Sequence, residues 1–212
     1  MKLTKDEIQF IDNYLKRNGI KYWDIRLEMI DHLVSDIESV DNSTDFETLF
    51  KNSLKNANWE GNLKDVNIKS WKSTNKIYRV KHAKEILSIL KHPVYLIFFV
   101  LLYLGLSWIA TSFPKALKTV SFVVLIIPII VMLYESINTW RKKLGRSVNI
   151  DYGLFYFSFG IIMISTPLQL LPKSQLPDWL PIILSIYVLV VLAGYRLYRY
   201  ALKKVLIIKN AL

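Results

Sequence analysis

The residues best able to do chemistry lie close together near the N-terminus. Glu28, His32 and Asp36 are spaced by four residues, so a helix over residues 23–39 would carry all three on one face. Carboxylates and imidazoles bind metals, but a metal site needs three or four convergent ligands, and His32 has no second histidine at helical spacing. The spacing fits equally a solvated face with contacts between residues four apart, and we expect that arrangement and no metal.

Motifs typical of enzymes are missing from the rest of the sequence. There is no GxSxG, HExxH or Walker-type loop, and seven glycines leave little material for a phosphate-binding turn. The absence of cysteine excludes disulfides, thiolate metal sites and cysteine nucleophiles. We therefore expect neither enzymatic activity nor a bound cofactor.

The same N-terminal helix offers a surface for a protein partner. Its apolar stripe is predicted at Ile25, Met29, Leu33 and Ile37, which leaves a mostly acidic face opposite. A charged face on a domain without catalytic groups indicates docking. The candidate docking residues are Asp24, Arg26, Glu28, Asp31, His32 and Glu38.

Two further helices complete a predicted domain over residues 1–60. Thr4 and Glu7 have the spacing of a capping box, which predicts a helix over 5–17 that ends before Gly19. Thr44 and Glu47 repeat that spacing and predict a third helix from residues 43–45 onward. The expected fold is all-α, with three short helices around a common core.

The pattern around the second helix resembles a known kind of domain. Arg26, Glu28, Asp31, His32, Leu33 and Glu38 form an R-x-E-x-x-D-H-L…E pattern, similar to small helical prefix domains of bacterial membrane proteins. These are the HAAS-type signalling domains and the permease-prefix domains of some exporters. The resemblance covers about residues 4–60 and implies a sensory or regulatory role without catalytic residues.

Four apolar runs follow, at 93–112, 119–140, 152–171 and 178–198. A helix needs about 20 apolar residues to cross the hydrocarbon core, and only helices satisfy their backbone groups within one segment. The runs predict a bundle of four transmembrane helices over 93–212. Basic residues cluster before the first run, between the second and third, and after the fourth. The positive-inside rule then predicts a protein of the bacterial inner membrane with both termini on its cytoplasmic side.

The formal net charge of +11 is concentrated beside the apolar runs. Residues 61–92 form a basic juxtamembrane segment, and residues 51–92 carry ten basic and three acidic side chains. Such a segment fits anionic lipid headgroups, either lying on the membrane or continuing into the first span. Nucleic-acid binding is the competing interpretation, and we expect none because no recognised DNA-binding element accompanies the charge.

Glu135 is the candidate intramembrane polar site, near the inner end of the second run. We expect it at headgroup level, paired with Arg141 or Lys142. Two function classes stay open. The first is a regulatory, signalling or scaffold protein that docks a protein partner. The second is a small transport or export component, acting as an oligomer or as a partner of an ATPase, in which Glu135, Pro128 and Pro167 would matter. Protection against a membrane-acting toxin is a third class that no residue selects.

Overall fold

The computed structural model describes residues 2–40, 45–171 and 175–211, with the side chains of Leu176, Pro177 and Ala211 left out. Within these residues every regular element is a helix, which confirms the all-α prediction. The chain divides into two compact units. Unit 1 comprises Met1–Asn75 and Gly145–Asn149, and unit 2 comprises Lys76–Leu144 and Ile150–Leu212.

The described part of unit 1 contains three helices and the start of a fourth. They are α1 (Lys5–Arg17), α2 (Trp23–Glu38), α3 (Phe46–Asn56) and α4 (Leu63–Lys91), and α4 passes into unit 2 after Asn75. The first helix begins at the predicted capping box, where Glu7 N donates to Thr4 Oγ1 at 3.3 Å and Thr4 N donates to Glu7 Oε2 at 2.7 Å. The predicted cap at Thr44 lies outside the described residues, and α3 has Asp45 at its N-cap position.

The core of unit 1 follows the predicted apolar stripe of α2. Ile25, Met29, Leu33 and Ile37 are all buried, and α1 and α3 add Ile11, Leu15, Leu49, Phe50 and Leu54. The Phe50 ring meets Phe10 and Tyr14 of α1 edge-on, at centroid distances of 5.6 and 5.1 Å. Aromatic contacts of this kind add to the burial of apolar area, which holds α1 and α3 together.

Among its described residues, unit 2 contains four helical stretches that are long and apolar enough to cross a membrane, judged by length and composition. Its elements after α4 are α5 (Pro93–Ser112), α6 (Pro114–Arg141), α7 (Val148–Met163), α8 (Ser165–Leu170) and α9 (Leu176–Ala211). The candidate spans are Pro93–Ser112, Pro114–Arg141, Val148–Leu170 and Asp178–Asn210. This agrees with the predicted number of spans, and the chain has the character of a multi-pass membrane protein.

Proline explains where several of these helices begin and end. Pro93 and Pro114 occupy first-turn positions of α5 and α6, where a missing N–H costs nothing. Helix α6 therefore starts five residues before the predicted 119, and Phe113 alone separates it from α5. Pro167 crowds the carbonyl four residues earlier, and α7 ends there, at Met163.

Helix α9 extends well past the predicted end at residue 198. Its buried side chains continue through Tyr198, Ala201, Leu202 and Val205, which keeps one face apolar for two more turns. Helices α7 and α9 approach each other closely, since a Cβ on Gly194 would overlap the backbone of Tyr156. Glycine is therefore required at that contact.

Candidate functional site

Asp24 is a buried carboxylate in unit 1, with 4 % of its surface exposed. Ser147 Oγ and Asn149 Nδ2 both donate to Asp24 Oδ2 at 2.7 Å, and Val148 N donates to Asp24 Oδ1 at 3.0 Å. Asn149 N adds a bond to Oδ2 at 3.2 Å. Both oxygens thus bind a segment more than 120 residues away in the sequence.

The partners of Asp24 lie at the start of α7. The first N–H groups of a helix have no partner within the helix, and they favour a negative charge placed beside them. Asp24 accepts from the N–H groups of Val148 and Asn149, so it caps α7 from a distant helix. A capping residue normally lies next to its helix in sequence, so no local pattern predicts this contact.

Two neighbours of Asp24 extend the contact along the same segment. Trp23 N donates to the Arg146 carbonyl at 3.1 Å, and the Arg146 guanidinium lies 5.5 Å from the Tyr22 ring centroid. Gly145 has φ +76°, and a Cβ there would lie 3.3 Å from Trp23 Cδ1. We call Tyr22, Trp23 and Asp24 the α2 clamp, because together they hold Gly145–Asn149.

Arg26 binds within unit 1 as well. Its Nε donates to Asp12 Oδ1 at 2.6 Å, and its Nη1 donates to the carbonyls of Ile20 and Lys21 at 3.1 and 3.2 Å. Only 11 % of the Arg26 side chain is exposed. Arg26 therefore fixes the connection between α1 and α2, and it is not part of a solvent-facing surface.

The predicted docking face is accordingly smaller than the sequence indicated. Asp24 and Arg26 are turned inward, whereas Glu28, Asp31, His32 and Glu38 are exposed. The His32 ring meets Trp59 edge-on at 5.4 Å, and Glu38 Oε1 accepts from Leu3 N at 3.0 Å. We call Glu28, Asp31 and His32 the α2 outer face. Among the described residues, no three His, Asp or Glu side chains are placed to hold a metal ion.

Glu135 is a second buried carboxylate, in the candidate span formed by α6, with 4 % of its surface exposed. Arg199 Nη1 of α9 lies 3.2 Å from its Oε1, and the hydroxyls of Tyr195 and Tyr198 donate to it at 3.4 Å. The predicted partners were Arg141 or Lys142, and that prediction is wrong. Those residues follow on the same helix, whereas Arg199 lies on the helix packed beside it.

His82 is a buried histidine on the part of α4 that belongs to unit 2. Its Nε2 lies 3.4 Å from the Val190 carbonyl oxygen, and its ring contacts those of Tyr156 and Phe159. Burial disfavours the charged imidazolium and lowers the pKa of His82, and the hydrogen bond to Val190 opposes that shift. No sequence pattern singles out this histidine as buried.

No family model, no curated protein and no solved structure matches this chain.

Proposed function

We propose that this chain is a regulatory or scaffold protein of the bacterial inner membrane, whose helical unit 1 lies in the cytoplasm and docks a protein partner. The observation that carries the proposal is the α2 clamp. The HAAS-type resemblance of residues 4–60 points in the same direction, and it stays a resemblance.

The clamp joins α2 to Gly145–Asn149, which belongs to the same unit. Gly145–Asn149 connects α6 to α7, and both helices form candidate spans. Four hydrogen bonds to one carboxylate must break before α2 can leave this segment. Hydrogen bonds to charged groups are worth about 1.5–3 kcal/mol each, so the held and released states are well separated in energy.

A partner on the α2 outer face would act on that equilibrium. Glu28 and Asp31 lie on the same helix as Asp24, within two turns of it, and both are exposed. A ligand shifts a two-state equilibrium only by its difference in affinity for the two states. A basic partner that binds α2 more tightly in one position of the clamp would therefore favour that position.

The clamp also supports the proposed orientation. A compact unit that contains both the N-terminal helices and Gly145–Asn149 requires these two regions to share one side of the membrane. The basic residues Arg141, Lys142 and Lys143 precede that segment, so the positive-inside rule assigns the shared side to the cytoplasm.

The docking proposal is tested by affinity purification of the full-length protein from its native membrane in mild detergent. We expect a near-stoichiometric partner whose recovery falls at least tenfold in the variant Glu28→Gln/Asp31→Asn. The control Glu47→Gln/Glu60→Gln removes two other exposed charges from unit 1 and should recover the partner normally. Equal recovery by both variants would contradict the proposed docking surface.

The orientation is tested by labelling single cysteines, which the cysteine-free chain allows without background. Ser39→Cys and Lys142→Cys, at exposed positions, should react with an impermeant maleimide only in inverted vesicles. Ser112→Cys, at the end of α5, should react only in intact cells. Labelling of Ser39→Cys in intact cells would exclude a cytoplasmic unit 1.

A small transport component is the second candidate function, and the buried Glu135 favours it. Ionisable groups inside membrane spans commonly mark ion or proton pathways. In vesicles reconstituted with the protein and a pH-sensitive dye, a transporter should move protons and Glu135→Gln should abolish that flux. Proton flux that is unchanged in Glu135→Gln would remove the main support for this function.

A further inference from the structure

The second half of α4 has two chemically different faces. One face is packed within unit 2, where Tyr78, His82 and Ile89 are buried. The other face is exposed, and we call it the α4 outer face. It consists of Lys76, Ile77, Arg79, Val80, Lys84, Leu87, Leu90 and Lys91.

Every charged side chain on the α4 outer face is cationic. The only acidic residue in this half of the helix is Glu85, which lies on the packed side and pairs with Arg196 at 3.3 Å. Between the cations, Ile77, Val80 and Leu87 remain 49, 45 and 54 % exposed. An apolar strip of this kind is unfavourable in water unless something covers it.

Contacts to α9 locate the end of α4 at the start of a candidate span. Arg196 pairs with Glu85 of α4, and its guanidinium also lies 5.9 Å from the ring centroid of Tyr95 in α5. Ala193 shares one apolar cluster with Ile89 and Phe99. The last turns of α4 and the first turns of α5 therefore lie beside the same stretch of α9, at the level where α5 would enter the hydrocarbon.

We propose that the α4 outer face binds anionic phospholipids of the adjacent leaflet. The apolar side chains lie among the upper acyl chains, and the lysines reach outward to the phosphates. Lys84, Ser88, Lys91 and His92 line one open cleft beside this face. In this proposal the cleft receives the phosphodiester of one headgroup. This proposal shares one premise with the proposed function, namely that α5 crosses a bilayer, and it rests on the proposed function in no other respect.

Charge complementarity and position select lipid over other partners. The four cations of this face, beside which the one acid in this half of α4 is paired with Arg196, match a surface of anionic headgroups, at a level where such headgroups would lie. A nucleic acid would leave the exposed strip from Val80 to Leu87 uncovered. A second copy would place the same four cations against each other, which is unfavourable at a two-fold interface.

The test is native mass spectrometry of the full-length protein released from nanodiscs of phosphatidylcholine with phosphatidylglycerol. Wild type should retain phosphatidylglycerol in preference to phosphatidylcholine. The variant Lys84→Gln/Lys91→Gln should bind it about 30-fold more weakly, given the contribution of each lysine near an anionic surface. The control Lys51→Gln/Lys55→Gln, which removes two exposed lysines of α3, should bind it like wild type.

Three outcomes would overturn the proposal. The first is equal retention of phosphatidylglycerol by wild type and Lys84→Gln/Lys91→Gln. The second is thermal stabilisation of the protein by inorganic phosphate as large as that by phosphatidylglycerol, which would indicate a free-anion site. The third is a dimer mass that Leu87→Ser abolishes, which would assign the face to a second copy. A failed partner test with Glu28→Gln/Asp31→Asn leaves these lipid measurements unaffected.

Discussion

The two buried carboxylates, Asp24 in unit 1 and Glu135 in unit 2, are satisfied in different ways. Asp24 accepts from backbone amides and from the neutral side chains of Ser147 and Asn149. Glu135 has a cation, because Arg199 pairs with it at 3.2 Å, and 56 % of the Arg199 side chain is exposed. The contacts of Asp24 join two pieces of chain that are distant in sequence. The ion pair of Glu135 links two helices packed side by side, near the end of a candidate span.

The two sets of partners indicate which carboxylate tolerates substitution. Two of the donors around Asp24, the N–H groups of Val148 and Asn149, are fixed by the backbone, so they cannot turn elsewhere when the carboxylate is removed. The guanidinium of Arg199 can turn to solvent and keep its hydration. We therefore expect a substitution at Asp24 to cost more than one at Glu135, although both carboxylates are equally buried.

Asp24→Asn should be the most damaging of the substitutions at these two carboxylates. The amide keeps one acceptor and turns an NH₂ group toward donors, so we expect unit 1 to lose about 3 kcal/mol of stability. In the full-length variant, hydrogen exchange of the backbone amides of Gly145–Asn149 should be faster than in wild type. The control Glu28→Gln, on the exposed face of the same helix, should change stability by less than about 0.5 kcal/mol. Unchanged exchange in Asp24→Asn would mean that the clamp does not hold this segment.

A second test compares the two ends of the ion pair in unit 2. Arg199→Gln leaves a buried carboxylate without its cation and should cost about 2 kcal/mol, discounted for the exposure of the arginine. Glu135→Gln leaves an exposed cation and should cost about 1 kcal/mol or less. Thermal unfolding in detergent, followed by tryptophan fluorescence, measures both. A larger loss of stability in Glu135→Gln than in Arg199→Gln would contradict the assignment of Glu135 as the buried member of this ion pair.

A third test addresses the backbone of the clamped segment. Gly145→Ala should destabilise unit 1 by about 1–2 kcal/mol, since alanine disfavours a positive φ and its methyl would press on Trp23. Gly61→Ala is the matched control, with φ +71° and no atom within 4 Å of a Cβ. The difference between the two variants isolates the contact with Trp23, and equal losses would show that this contact is unimportant.

The smallest expected effect is a pH dependence in unit 2. The pKa of His82 is lowered by burial, so the unfolded chain binds a proton at a higher pH than the folded chain. Its contribution to stability is present above the unfolded pKa of about 6.5 and is lost as the pH falls through the lower folded pKa. The midpoint of thermal unfolding should decrease from pH 8 to pH 5, and less so in His82→Gln. An equal decrease in wild type and His82→Gln would contradict this role of His82.

The sequence predicted the helices better than it predicted the sites. Apolar periodicity and composition located α1, α2 and α5 closely, because local spacing decides those elements. The partners of Asp24 and Glu135 lie 123 and 64 residues away, and no local pattern encodes such pairs. Gly145, Ser147 and Asn149 carried a weak signal, since they are residue types that favour turns and helix starts. The prediction that Asp24 lies on the exposed face of α2 was wrong, because the spacing of charges along a helix does not show which face other residues cover.

The distance in sequence across the α2 clamp has a consequence during synthesis. Asp24 leaves the ribosome about 6–25 s before Ser147, at ordinary rates of translation. During that interval the carboxylate of Asp24 has no site in which it can be buried. This is still so in a nascent chain that already contains α5 and α6. Unit 1 can reach its final structure only after α6 has emerged. A completely folded unit 1 therefore indicates that the chain of α5 and α6, the first helical hairpin of the membrane half, has been synthesised.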